Sequence, residues 1–155
     1  MLGEGTPVIF VTFLFAIIGY VGLTAVVVLT VRGQRPDILW RVVALIILTH
    51  VFMVWVYRYD GHFELAVRNG YAGFLIFHTA VVLIILSHFI TQPWSQRFIH
   101  ISFLIVTMGA VGASFRYPVV SMYRYIVIPC GLIGIVGLVK FYILDRGRSK
   151  DQLSV

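Results

Sequence analysis

The stretch PVIFVTFLFAIIGYVGLTAVVVLTV, residues 7–31, contains no charged side chain. A helix needs about 20 mostly apolar residues to cross a bilayer, at ~1.5 Å of rise each. This run is long enough to cross and too long for the apolar core of a secretory signal. No basic residue precedes it in MLGEGT, residues 1–6. It is read as a retained membrane span.

The rest of the 155-residue chain has the same character. Only 12% of its residues are charged and 60% are hydrophobic, whereas ordinary soluble domains are about 25% charged. With a mean hydropathy of +0.98, no room is left for a separate soluble domain, and residues 1–155 are read as one transmembrane helical domain. Four further segments reach span length: 38–57, 70–91, 98–115 and 125–144. The expected fold class is all-α, an integral membrane bundle of five transmembrane helices. Burial of the turn RYPVVSMYR, residues 116–124, would reduce five to four. The connections are short and rich in breakers, which makes sequence neighbours antiparallel neighbours in space.

The net charge of +6 does not point to nucleic acid, because the cations sit between apolar runs rather than along one face. They report topology instead. With the N-terminus outside, the inner ends hold Arg32, Arg35, Arg41, Arg97, Lys140, Arg146, Arg148 and Lys150, and the outer ends Arg58, Arg68, Arg116 and Arg124. The positive-inside rule therefore favours an outer N-terminus and a cytoplasmic C-terminus. Trp40, Trp55 and Trp94 fall near span ends, as an aromatic belt requires. GYVG (19–22), GAVGA (109–113) and GLIGIVG (131–137) offer backbone surfaces for close helix packing. Cys130 is the only cysteine, so an intramolecular disulfide is excluded.

Polar groups at membrane depth are rare and often functional, and four of the five histidines fall in spans: His50, His78, His88 and His100. In the antiparallel arrangement, His50 and His78 both lie ~11–12 Å below the outer boundary. His88 and His100 both lie within a turn of the inner one. Two depth-matched pairs on neighbouring helices are one way a bundle grips a haem iron. The four histidines are thus candidate metal ligands. Cationic side chains at the membrane edge suit the haem carboxylates: Arg58, Arg68, Arg116 and Arg124 outside, Arg41 or Arg97 inside.

The segments LTHVF (His50), IFHTA (His78), LSHFI (His88) and FIHIS (His100), in a small multi-span chain, resemble b-type haem membrane cytochromes, the anchor subunits of respiratory quinone oxidoreductases. RFIHISFLIVTMGAVGASFRY also resembles a helix of the haem A synthase type. The resemblance implies one or two haem b groups, contact with quinone, further membrane subunits as partners, and a prokaryotic plasma membrane or equivalent energy-transducing membrane. Two features depart from it. His78 and His88 are ten residues apart, ~15 Å of rise and ~80° around the axis, closer than stacked ligands usually sit. Residues 7–31 and 125–144 carry no histidine.

Competing chemistries find less footing. The carboxylates Glu4, Asp37, Asp60, Glu64, Asp145 and Asp151 all fall outside spans or at their edges, against the midplane ionisable groups of ion-coupled transporters. The loop YDGHFE, with Asp60, His62 and Glu64, reads as a solvated turn before it reads as a metal site. The rival to electron transfer is an accessory or assembly subunit whose histidines bond across helices and hold no cofactor.

Overall fold

A computed structural model describes residues 7–68 and 70–144. Glu4, Asp145, Arg146, Arg148, Lys150 and Asp151 lie outside the described residues. All regular structure among the described residues is helical. Helix α1 spans Pro7–Val31; α2 spans Asp37–Met53 and continues as a π-helical turn, Val54–Arg58. A short α3, Phe63–Val67, precedes α4, Tyr71–Leu86, and α5, Trp94–Arg116. A 3-10 turn, Pro118–Tyr123, leads into α6, Arg124–Val139, which ends in a second π turn, Lys140–Leu144.

Four helices are long and apolar enough to cross a membrane: Pro7–Val31, Asp37–Arg58, Trp94–Arg116 and Val120–Ile143. The described residues are therefore all-α, with four candidate membrane-spanning helices and one shorter apolar helix among them. The shortfall from five long helices arises at segment 70–91, not at the turn 116–124. Helix α4 stops at Leu86: the His88 and Phe89 amides reach only three residues back, to the Ile85 and Leu86 carbonyls at 3.1 and 3.0 Å, while the Ser87 hydroxyl donates to the Ile84 carbonyl at 2.7 Å. The Ser87 carbonyl is then taken by the Ser95 hydroxyl, at 2.6 Å, from the first turn of α5. Phe89 and Ile90 keep the hydropathy high past the point where the helix ends. Segment 98–115, the shortest in sequence, gains a turn and becomes a helix of 23 residues.

Helix α1 ends on a hydrogen-bonded cap. The Gly33 amide donates to the Thr30 carbonyl at 3.0 Å and the Gln34 amide to the Leu29 carbonyl at 3.0 Å. That geometry needs a left-handed residue, and Gly33 sits at φ +78°, open to glycine at no steric cost. The chain then turns sharply into α2.

Helix α1 is the centre of the bundle. It packs most extensively on α2 and α6 and also touches α5, while α4 packs chiefly on α5 and only lightly on α2. Leu23, Val26 and Val27 of α1 and Phe103 of α5 are fully buried, surrounded by Val43, Ile84, Ile99, Val127 and Leu138. Close approach is built from the glycines noted in the sequence. Gly19 and Gly22 face Ile47 and Val43 of α2, Gly109 faces Phe77 of α4, and Gly131 faces Thr107 of α5. In lipid, where apolar burial adds little driving force between helices, such contact is a main source of cohesion. Buried hydroxyls are satisfied locally: Thr12 donates to the Val8 carbonyl at 2.8 Å and Thr24 to the Tyr20 carbonyl at 2.9 Å.

Candidate functional site

His78 and His88 sit along the lightly packed seam between α2 and α4, His50 lies on α2 toward α1, and His100 lies near the start of α5. His50, half-buried on α2, turns toward α1: its Nδ1 lies 2.9 Å from the Thr12 carbonyl. His78 on α4 places Nδ1 2.8 Å from the Phe74 carbonyl, one turn back on its own helix. His88, in the turn after α4, does the same with Ile84 at 2.9 Å. A carbonyl only accepts, so each of these Nδ1 atoms carries the hydrogen, which is the tautomer whose lone pair sits on Nε2.

What meets those lone pairs differs. The Trp55 indole N–H donates to His78 Nε2 at 3.2 Å, with the two rings edge to face. Phe74 stacks on the other side of His78 at 3.8 Å between centroids. Trp55 starts from the π turn that ends α2, a distortion often found where a side chain is re-aimed. At the other end of the same seam, the Trp40 indole N–H donates to the Ser87 hydroxyl at 3.1 Å, and its ring stacks on His88 at 5.4 Å. Two tryptophan clasps thus join α2 to α4, one near each end. Nε2 of His50 and of His88 makes no hydrogen bond among the described residues.

His100 belongs to a different junction. It is 2% exposed, with Nε2 2.9 Å from the Thr30 hydroxyl of α1 and Nδ1 2.9 Å from the Tyr142 hydroxyl in the π turn after α6. The ring ties three helices together.

The two members of each pair hydrogen-bond to different groups. His50 faces α1 while His78 faces Trp55, and His88 faces Trp40 while His100 faces Thr30 and Tyr142. Among the described residues, no group of three or more His, Cys, Asp or Glu side chains is gathered as a metal site. That bears on Asp60, His62 and Glu64 of the YDGHFE loop. A haem iron takes only two axial ligands, so it does not bear on the paired rings.

Of the candidate cations, Arg58 and Arg68 are exposed at the end of α2 and just after α3. Arg116 lies over the Tyr117 ring at 5.6 Å. Arg124 lies over Phe115 at 4.5 Å and donates to the Ser114 carbonyl at 2.9 Å, its Nε buried without a partner. Arg97 covers the Trp94 ring at 4.6 Å, and Arg41 is exposed on the first turns of α2. The partners that sequence reading assigned no role at the histidines are Trp40, Trp55, Thr30 and Tyr142. One signal for the tryptophans was present: an indole N–H at membrane depth needs an acceptor, and His78 and Ser87 on the next helix supply it.

The Trp55–His78 clasp makes a prediction. Trp55→Phe keeps the aromatic packing and removes the bond to His78, costing about 1 kcal/mol. Hydrogen exchange in detergent should speed up in α4 and stay unchanged in α1. Equal change in both helices would show that Trp55 does not hold the seam.

No protein-family model matches this chain, and neither does any curated protein or solved structure.

Proposed function

We propose that the chain is a small integral membrane subunit of a larger electron-transfer assembly in an energy-transducing membrane, with its N-terminus outside. Helix α4 crosses as a fifth, short span. Its 16 residues give ~24 Å against a hydrocarbon core of ~30 Å, a mismatch that local thinning of the bilayer accommodates. The electron-transfer setting rests on the resemblance in the sequence, and the structural observation that favours an accessory place within it is the engagement of His78 and His100, each with both ring nitrogens committed to other groups of the chain. This is the pattern of histidines that lock helices together, and it favours an accessory role in the assembly. Gly73 of α4 and Gly112 of α5 are exposed with no atom near a would-be Cβ, which suits close approach by a partner's helix.

A second reading, ligation of haem b, is favoured by the ring orientation along the seam. An Nδ1–H held by a carbonyl is the state in which Nε2 can bind a metal, and it keeps the ring aligned. His50 and His88 present Nε2 in that state; His78 would do so once Trp55 released it. Arg58 and Arg68 lie at the outer end for the haem carboxylates, with Arg116 and Arg124 at the neighbouring helix ends. When bound, the haem would supply the one-electron couple and bring the quinone pool within reach; the chain would supply ligation and a low-dielectric setting.

The test is isolation in mild detergent with native partners, followed by iron stoichiometry and a reduced-minus-oxidised spectrum. The subunit reading expects co-purification with other membrane subunits; a lone 17.5 kDa chain under those conditions overturns it. The haem reading expects a b-type band that weakens in His50→Ala. An iron-free, colourless complex sinks that reading and leaves the accessory one standing.

A further inference from the structure

Between α5 and α6, near the end where Arg97 enters, lies a groove of about 260 Å³ lined by Arg97, His100, Ile101, Leu104, Leu138 and Tyr142. Arg97, Ile101 and Leu104 follow one another at helical spacing along α5. Leu138 and Tyr142 do the same along α6 and its π turn. The wall is carbon for ~10 Å, the rise from residue 97 to residue 104. Ile101 is 45% exposed and Leu104 46% exposed, so the groove opens sideways, away from the bundle. Arg97 stands in the first turn of α5 at one end of the groove, where its stem contributes to the wall and its guanidinium lies over the Trp94 ring at 4.6 Å. The polar atoms of His100 and Tyr142 at its floor bond to each other at 2.9 Å.

We propose that this groove holds an acyl chain of an anionic phospholipid, with Arg97 pairing the headgroup phosphate. The argument is charge complementarity at the mouth and carbon along the wall. A laterally open, carbon-lined groove on a spanning helix pair is filled by lipid, and a cation at its mouth selects the headgroup. Basic pockets between membrane helices take anionic lipids on the same principle. An arginine forks onto two phosphate oxygens, which a zwitterionic headgroup offers less favourably because its own ammonium competes. The proposal rests on α5 and α6 crossing a bilayer and on no cofactor, so a colourless protein leaves it untouched.

The probe is native mass spectrometry of the purified chain with phosphatidylglycerol or phosphatidylcholine of identical tails. The wild type should retain phosphatidylglycerol preferentially. Arg97→Gln should reduce that preference about fivefold, the equivalent of the roughly 1 kcal/mol a basic residue contributes near an anionic surface. Arg97→Lys should restore part of it. Leu104→Trp, which fills the groove while keeping the charge, should remove retained lipid of both kinds. Circular dichroism confirms that each variant remains helical. An unchanged preference in Arg97→Gln, or full retention in Leu104→Trp, would place the lipid elsewhere and overturn the assignment. Equal retention of a neutral long-chain quinone, indifferent to Arg97, would do the same.

Discussion

Gly134→Leu should separate α5 from α6, and even Gly134→Ala should cost about 1–3 kcal/mol, the usual range for an overpacked core. A Cβ at position 134 would press on the Phe103 ring, falling 2.6 Å from Cε1 and 2.9 Å from Cε2. Phe103 has nowhere to go. It is fully buried and lies parallel to Tyr20, with 4° between the planes and 6.2 Å between centroids. Tyr20 is itself tied to the Thr107 hydroxyl at 3.0 Å, and Gly131 leaves room for that bond, its would-be Cβ lying 3.1 Å from the Tyr20 hydroxyl. The rings of α1 and α5 therefore rest on bare backbone of α6, and the strain of any added carbon passes into all three helices. Gly112→Ala is the control: nothing lies within 4 Å of a Cβ there, so the change should stay within about 0.5 kcal/mol. Unfolding in mixed micelles, followed by loss of helicity, measures both. Similar losses for the two variants would show that the contact with Phe103 does not set the cost, because backbone entropy alone favours alanine at both positions.

Gly134 also shows which parts of this molecule its sequence exposes. Apolar length locates helices well: residues 7–31 form α1 with the expected ends, and the glycines of GLIGIVG pack as their spacing suggests. Helix ends made by side chains are harder to see. Ser87 and Ser95 close α4 through two hydroxyl bonds, while the apolar run continues past them unchanged. Rotation about the helix axis is hardest. In a soluble protein the apolar stripe points a helix toward the core. In lipid both the packed and the outward faces are apolar, and α1 is the clearest case: Phe10 and Ile18 are exposed while Leu23 and Val26 are buried. Spacing along the chain therefore gives the four histidines an expected level in their helices, but not the direction in which each ring points. His50 and His78 turn to different partners, the Thr12 carbonyl of α1 and the Trp55 indole of α2's π turn. The π turn at Val54–Arg58, which aims Trp55 at His78, leaves no mark in hydropathy at all.

His100→Ala should cost about 3–5 kcal/mol, the range for removing a large buried side chain, and donor arithmetic explains why it exceeds a simple cavity. The Thr30 hydroxyl has one hydrogen, and its oxygen lies 2.9 Å from the Val27 carbonyl, which can only accept. The Thr30 oxygen must then accept from His100, which assigns Nε2–H and leaves Nδ1 to accept from the Tyr142 hydroxyl. The result is a one-way chain from Tyr142 through His100 and Thr30 to the α1 backbone, each link polarising the next. It is also the opposite tautomer from His50, His78 and His88. His100→Phe fills the volume but takes away Tyr142's acceptor, and should cost about 1–3 kcal/mol. His88→Ala, at an exposed ring, should cost less than either. The order of the three, read by unfolding in micelles, tests the chain of bonds; equal losses for His100→Phe and His88→Ala would break it. The same variants separate clamp from ligand. A clamp at His100 loses stability while leaving any b-type absorption of the folded fraction intact. A ligand loses the band first, and that outcome would mean the Tyr142–His100–Thr30 chain opens when the protein takes up its cofactor.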